Sequence, residues 1–385
     1  MNENSLLPPS KSKAITAILL LPAEPDLYWQ DLAGVPFLLR NILTLQQAGI
    51  KKLAIWPQES TASMDIIRAN LDRDPRIDLD LEWITDLSVG LQNLESIILD
   101  GSTLLEVSQI REAMAPSNID LSDSSTFRFF PDMLGHNRES QEKNIMKVIP
   151  PCESLRLNNK EDFLAVEERL LKSVGLSNDS LMDRLVTRFI SRQLTRLFLK
   201  TSLTPNQITF LSLLLGLGSA WCFFQGTYFS GLSGSLLLLV SAWVDCTDGE
   251  IARLKFMETP WGARFDIFCD NIVHFFVFFS IGMGVFFATG DPIFKLYGGL
   301  AVYGSLVAFM ILSGIIVKNK QAAGQGEPSE SNLIDQVANR DFIYFLLVMA
   351  WLDRLDIFIL LTAIGANVFA LYLMYQRSRW GNNSI

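Results

Sequence analysis

The pattern of apolar and polar positions divides the chain into two parts of different character. In the first part, apolar residues come in short runs separated by polar segments. Four of these runs are predicted to be strands: residues 13–21, 50–56, 77–84 and 96–99. Helical periodicity over residues 37–48, with Pro36 in the first turn and Gly49 as a stop signal, predicts a helix between the first two strands. Alternating strands and helices indicate a layered α/β domain with a parallel sheet.

The second part carries apolar runs that are long enough to cross a bilayer. A membrane helix needs about 20 apolar residues. Five runs meet this condition: residues 206–226, 229–251, 263–289, 294–317 and 357–375. The shorter run at 342–352 is predicted to be a sixth span, extended by its polar flank. An even number of spans places both termini on the same side of the membrane.

The distribution of cations indicates which side that is. The predicted inside loops carry Lys255, Lys318, Lys320, Arg340, Arg377 and Arg379, whereas the outside loops carry Lys295 and Arg354. Because cytoplasmic loops are enriched in Lys and Arg, we expect a multi-pass protein of the cell (inner) membrane with cytoplasmic N- and C-termini. The short apolar run near the N-terminus is followed by polar residues, so it does not resemble a signal peptide.

Composition excludes several classes of protein. The 385 residues carry 32 Lys and Arg against 41 Asp and Glu, and 49% of them are hydrophobic. This balance excludes a disordered chain or a coiled coil and argues against a nucleic-acid partner, which would need clustered cations. The four cysteines show no CxxC pair or zinc-site spacing, so we interpret them as small buried residues.

The junction between the two parts is predicted to be helical. Residues 157–171 resemble an amphipathic helix that closes the front domain. In residues 179–200 an apolar stripe lies beside a basic one, formed by Arg184, Arg188, Arg192, Arg196 and Lys200. Such a helix suits the membrane surface, although a solvated arginine face would give the same pattern. The predicted domains are therefore 1–175, an interfacial helix at 176–203, and a membrane domain at 204–385.

Candidate chemistry concentrates in residues 245–270. Between residues 201 and 252 the only charged groups are Asp245, Asp248 and Glu250, and no Lys or Arg is near until Arg253. Carboxylates in a membrane segment are costly and mark functional sites. Asp245 and Asp248 share one face of a helix.

Asp266 and Asp270 share a face of the next helix, and a turn containing Pro260 and Gly262 would let the two pairs converge. Four carboxylates cannot share a site in ionised form without cations. Mg²⁺ or Mn²⁺, which prefer oxygen ligands, would fit, and two such ions can clamp a pyrophosphate.

Small and basic residues accompany these carboxylates. Gly249 and Ala252 each follow one of the helix's aspartates by four residues and would leave a groove for a nucleotide, while Arg253 could grip a phosphate. A structural role for the acids, or an ion path, is the alternative interpretation.

The spacing DxxDGxxARx8GxxxDxxxD over residues 245–270 closely resembles the signature of the CDP-alcohol phosphotransferase family. The resemblance implies an enzyme of phospholipid or polyol-phosphodiester biosynthesis. Such an enzyme moves a substituted phosphate from a CDP-alcohol to an acceptor alcohol or polyol phosphate and releases CMP, and it usually works as a homodimer in membrane lipid. The implied metal ligands are Asp245, Asp248, Asp266 and Asp270, with Asp270 also as the general base. The implied CDP contacts are Asn206, Thr209, Gly249, Ala252, Arg253, Thr259 and Gly262.

The front domain resembles sugar-phosphate nucleotidyltransferases in the stretch AGVPFLLRNILTLQQAGIKKLAIW. The two resemblances together imply a Rossmann-like α/β cytosolic domain followed by an all-α domain of six transmembrane helices, as in bifunctional inositol-phosphate enzymes. After the first strand, however, the sequence LLPAEPDLYWQ has no glycine, Lys or Arg. Backbone cannot approach phosphates closely there, so we expect a catalytically inactive front domain.

Some residues and functions stay open at this stage. His274 could face the carboxylates or bond a neighbouring helix, and Arg264 and Asn271 are equally ambiguous. A membrane scaffold or binding protein with an inert front domain, or a cation transporter, would also account for part of the pattern. The Gly249, Ala252 and Arg253 set favours the transferase.

Overall fold

The computed structural model describes residues 16–22, 25–58, 62–85, 96–114, 145–149, 157, 160–174, 186–322 and 342–382. The chain forms two compact units, Met1–Leu171 and Lys172–Ile385. The predicted stripe residue Arg184, the predicted loop residue Arg340 and the polar flank before residue 342 lie outside the described residues.

The first unit is built on a parallel sheet, as predicted. Its strands are Thr16–Leu21 (β1), Asp31–Leu32 (β2), Val35–Pro36 (β3), Lys52–Pro57 (β4), Asp80–Trp83 (β5), Ser96–Asp100 (β6) and Ile145–Ile149 (β7). Five of them pair in parallel in the order β5-β4-β1-β6-β7, and β2 and β3 form a small antiparallel pair. The order reverses beside β1, as in doubly wound α/β folds. Strand β7 was not predicted.

Helices cover this sheet and are tied to its loops by buried side chains. They are Pro25–Tyr28 (α1), Phe37–Ala48 (α2), Ala62–Leu71 (α3), Val107–Met114 (α4) and Lys160–Ser173 (α5). The buried Asn41 on α2 donates to the carbonyl oxygens of Gly101 and Thr103, which fixes the turn after β6. Its neighbour Arg40 donates to the carbonyl oxygen of Leu32, and burial lowers the pKa of Arg40 to about 10.

The second unit is helical throughout its described residues. Its helices are Arg188–Leu199 (α6), Pro205–Phe224 (α7), Tyr228–Leu254 (α8), Pro260–Thr289 (α9), Ile293–Ala322 (α10), Phe342–Trp351 (α11) and Leu355–Asn382 (α12). Five of them, α7 to α10 and α12, contain apolar stretches of spanning length, as predicted. The ten described residues of α11 reach about 15 Å at 1.5 Å per residue, half of a bilayer core.

Helix α7 is the shared neighbour of the two helices that carry the aspartates. It packs along both α8 and α9, whereas α8 and α9 make little direct backbone contact although they are consecutive in the chain. Close approach between helices depends on glycine. A Cβ atom on Gly284 of α9 would lie 2.1 Å from the carbonyl oxygen of Phe223 on α7, and one on Gly282 would lie 2.7 Å from the Cα atom of Gly298 on α10.

Candidate metal and nucleotide site

Three of the four predicted carboxylates converge between α8 and α9. One oxygen from each of Asp245, Asp248 and Asp266 lies within 4.8 Å of the others. Asp245 and Asp248 stand one turn apart on α8 and are 5% and 6% exposed, while Asp266 reaches across from α9 and is half-buried. The convergence follows from the spacing in the sequence, because both α8 residues lie on one helix face.

The fourth aspartate, Asp270, lies outside this group. It lines a cavity of about 20 Å³ together with Asp245. Polar side chains of Ser212, Ser241 and His274 also line it. A space of this size holds about one water molecule. Asp245 therefore belongs both to the three-carboxylate group and to the lining of the cavity that contains Asp270.

Hydroxyl groups hold the α8 carboxylates in place. Thr209 on α7 donates from Oγ1 to Oδ2 of Asp248. Oγ of Ser212, one turn further along α7, lies 3.2 Å from Oδ1 of Asp245, and the hydroxyl of Ser241 donates to the Ser212 carbonyl oxygen over 2.7 Å. The Ser212 hydroxyl also lies 2.8 Å from the Thr209 carbonyl oxygen, to which it donates. Thr209 is therefore the hydroxyl that donates directly to a carboxylate, and it adds no positive charge. Sequence reasoning missed Ser212 and Ser241, and the helical spacing of Ser212 from Thr209 was the available signal.

The donor set suits a hard divalent cation. It consists of carboxylate oxygens only, which Mg²⁺ and Mn²⁺ prefer to nitrogen or sulfur. Three carboxylates held within 4.8 Å repel one another, and a cation among them removes that repulsion. The chemistry of the residues present therefore fits metal binding.

Three predicted nucleotide contacts meet where α7 and α9 begin. Thr259 caps α9 by accepting from the Gly262 N–H over 2.9 Å. A Cβ atom on Gly262 would lie 3.1 Å from Oδ1 of Asn206 in the first turn of α7. Two helix N-termini therefore lie side by side, and their dipoles favour anions.

The remaining predicted contacts lie on α8. The Arg253 guanidinium folds back over Gly249, where an added Cβ atom would lie 3.3 Å from Nη1. Nε of Arg253 is buried and has no hydrogen-bond partner among the described residues. Ala252 is half-buried beside it. The Thr209 hydroxyl is engaged by Asp248, so in this structure it serves the carboxylate.

Glu250 does not join the cluster, and its interpretation as an unpaired carboxylate was wrong. It is 2% exposed and forms an ion pair with Arg188 of α6 over 2.8 Å. The partner lies more than sixty residues earlier in the chain, where local spacing gives no sign of it. Arg188 consequently leaves the predicted basic stripe and turns inward.

The three ambiguous residues differ in their surroundings. The ring of His274 packs edge-on against the ring of Phe342 on α11, with 5.2 Å between the ring centroids. His274 also lines the cavity. Asn271 donates to the Ile267 carbonyl oxygen within its own helix, and Arg264 is exposed.

Comparison with known proteins shows which family the helical unit resembles. Residues 202–376 match the family model for CDP-alcohol phosphatidyltransferase. The match spans the carboxylate group and every predicted nucleotide contact. Together with five apolar helices of spanning length it makes this chain a membrane protein.

Relatives with similar sequences carry the name bifunctional IPC transferase and DIPP synthase. The protein of Aquifex aeolicus is 34% identical over 113 residues, which is 29% of this chain and 24% of that protein. The protein of Rubrobacter xylanophilus is 33% identical over 151 residues, 39% of this chain and 33% of that protein. The alignments thus span about a quarter to a third of these relatives' length.

Solved structures of Mycobacterium tuberculosis phosphatidylinositol phosphate synthase also resemble the chain. One has CDP-DAG bound, with 22% identity and a TM-score of 0.37 over 49% of this chain and 92% of that one. Another, in complex with manganese and citrate, has the same identity and TM-score over 49% of this chain and 88% of that one.

Proposed function

We propose that this protein is an integral-membrane transferase that moves a substituted phosphate from a CDP-alcohol to the hydroxyl of an acceptor alcohol and releases CMP. The observation that carries the proposal is the convergence of Asp245, Asp248 and Asp266 within a domain that matches the CDP-alcohol phosphatidyltransferase family. The resemblance to bifunctional inositol-phosphate enzymes supports inositol-phosphate acceptors or related polyol phosphates, in phospholipid or polyol-phosphodiester biosynthesis.

The proposed donor site extends from the carboxylates to the paired helix N-termini. Asp245, Asp248, Asp266 and Asp270 would hold two divalent cations, Mg²⁺ or Mn²⁺. Bound cations would neutralise the pyrophosphate charge and stabilise the departing CMP. The N-termini of α7 and α9, next to Asn206, offer N–H groups to the nucleotide phosphates.

Small and basic side chains would contact the rest of the donor. Gly249 and Ala252 would leave room for the nucleotide along α8. Arg253 has a buried Nε without a partner among the described residues, which a phosphate oxygen would satisfy. Thr259 and Gly262 would shape the turn that the nucleotide crosses.

In the proposed reaction Asp270 accepts the proton of the acceptor hydroxyl. The hydroxyl oxygen forms a bond to the phosphorus that carries the donor's alcohol. The phosphoanhydride bond breaks and CMP leaves with the electron pair. The cavity shared by Asp270 and Asp245 supports this role, because an acceptor oxygen there would lie beside the carboxylate group.

The direct test is CMP release by the purified full-length chain in lipid nanodiscs, with a panel of CDP-alcohols and acceptors. We expect release with at least one pair, loss in EDTA, and recovery with Mg²⁺ or Mn²⁺. Asp266→Asn should abolish release, and Asp291→Asn, an exposed carboxylate between α9 and α10, should not. Full activity in EDTA would refute the metal-dependent mechanism, and an inert panel would refute the transferase.

The proposal extends to location and assembly. Charge asymmetry of the predicted loops supports an inner-membrane protein with cytoplasmic termini, which reporter fusions at both ends would test. The outward face of α6 supports the interfacial helix, because Phe189 and Leu197 are 64% and 59% exposed beside basic residues. The family resemblance supports a homodimer, which light scattering of the purified chain would test.

A further inference from the structure

Glu250 is the one fully buried carboxylate of α8 that does not face the metal site. It follows Asp245 by five residues and Asp248 by two. At about 100° per residue it therefore projects about 140° to 160° away from both of them. It lies against α6 instead, with 2% of its surface exposed. A buried charge of this kind is costly unless it is fully paired.

The pairing is complete and comes from a single helix. Arg188 donates from Nη1 to Oε1 of Glu250 over 2.8 Å, and the Ser191 hydroxyl donates to the same oxygen over 2.7 Å. The Thr195 hydroxyl donates to Oε2 over 2.6 Å. Ser191 and Thr195 are both 0% exposed. Three donors on three successive turns of α6 thus converge on one carboxylate of α8.

A second polar contact fixes the start of the same helix. Thr187, immediately before α6, shares a hydrogen bond of 2.8 Å with the hydroxyl of Tyr344 on α11. The face of α6 that packs inward therefore carries hydroxyl groups beside its apolar side chains, while Phe189 and Leu197 point outward. Leu194 and Phe198 of α6 also pack against Val244 and Ile251 of α8. Apolar contact therefore joins the two helices, and the hydrogen bonds fix their relative position more specifically than apolar contact alone would.

We propose that Glu250 is a positioning residue that clamps α8 to α6 and so fixes the rotation of α8 that brings Asp245 and Asp248 toward Asp266. Because α8 and α9 make little direct backbone contact, the rotation of α8 depends on its packing against α7 on one side and α6 on the other. Loosening the contact with α6 would let α8 rotate and would separate the two halves of the carboxylate group. This inference rests on the metal site of the proposed function.

The experiment measures Mn²⁺ affinity of the folded full-length chain in nanodiscs by titration calorimetry. Arg188→Gln removes the ion pair and leaves two hydroxyl donors on Glu250. We expect it to weaken Mn²⁺ binding about tenfold, the range found when groups that orient metal ligands are removed. Arg188→Lys should restore most of the affinity. Arg192→Gln, which removes the same charge one turn further along α6 without touching Glu250, should leave it unchanged.

A second measurement tests whether Glu250 and Arg188 hold α6 and α8 together. Hydrogen exchange of α6 and α8 amides should accelerate in Arg188→Gln and in Glu250→Gln, and not in Arg192→Gln. Wild-type Mn²⁺ affinity in a folded Arg188→Gln chain would overturn the positioning role while leaving the proposed function intact. A wild-type chain that binds no Mn²⁺ would overturn the proposed function itself.

Discussion

Replacing Asp248 by Asn should make the metal-free protein more stable and abolish its response to metal. At 4.8 Å, the outer limit of the separations in the carboxylate group, two carboxylates repel by about 3.5 kcal/mol at an effective dielectric constant of about 20. Asn removes two such repulsions and can still accept the Thr209 hydroxyl. Side-chain rearrangement and proton uptake offset most of this energy, so we expect a net gain of about 1 to 2 kcal/mol without metal.

In the presence of metal, the wild-type chain should become more stable than the Asp248→Asn variant. At a concentration one hundred times its Kd, a cation stabilises the native wild-type chain by about 2.7 kcal/mol. The variant has lost a ligand and should gain almost nothing. Thermal unfolding in nanodiscs, in EDTA and then in Mn²⁺, measures both effects, at about 2–4 °C for each kcal/mol in a unit of this size.

The control for this experiment is Asp291→Asn. Asp291 is exposed and accepts the Ile293 N–H, which Asn can also do. It should melt like the wild type in both conditions. The reasoning would be refuted if Asp248→Asn kept the wild-type shift in Mn²⁺, or if it melted several degrees lower in EDTA.

Three further predictions concern the nucleotide groove, the helix packing and the front domain. Ala252→Leu should abolish CMP release while Mn²⁺ titration stays normal, and Ala288→Leu, at an exposed position of α9, should do neither; normal donor affinity in Ala252→Leu would contradict the groove. Gly284→Ala should lower the free energy of unfolding by about 1–3 kcal/mol, since its Cβ atom would meet the Phe223 carbonyl oxygen at 2.1 Å, whereas Gly299→Ala, with open space around it, should not. The full-length chain should release no pyrophosphate from CTP and any polyol phosphate, and turnover above background would show the α/β unit to be active.

Features that depend on local spacing could be predicted from the sequence. The pairing of Asp245 with Asp248 on one helix face needs only helical periodicity, and the spans need only length and hydropathy. Four parallel strands followed from short apolar runs bounded by turn residues. Strand β7 was missed although four of its five residues are apolar and Pro150 and Pro151 follow it.

Features that depend on distant contacts could not be predicted. The Arg188 partner of Glu250 comes from another helix, so the carboxylate looked unpaired in the sequence. Ser212 gained its place beside Asp245 only through the packing of α7 on α8. Asp270 shares the predicted helix face of Asp266, yet it lines the neighbouring cavity and lies outside the group of three. Spacing fixes which residues share a face, but not how far each side chain reaches.

Because α8 and α9 make little direct backbone contact, a bound cation would also have a structural role. In most helical hairpins apolar side chains interdigitate along the seam and join the two helices. Here the seam carries carboxylates, and α7 bridges the two helices from one side. A cation bound among the carboxylates would add a cross-link to the apolar cluster that Leu238 of α8 and Val273 of α9 share. Removing it should let the C-terminal end of α8 and the N-terminal end of α9 separate, which would open the entry for a bulky donor before the site closes around its phosphates.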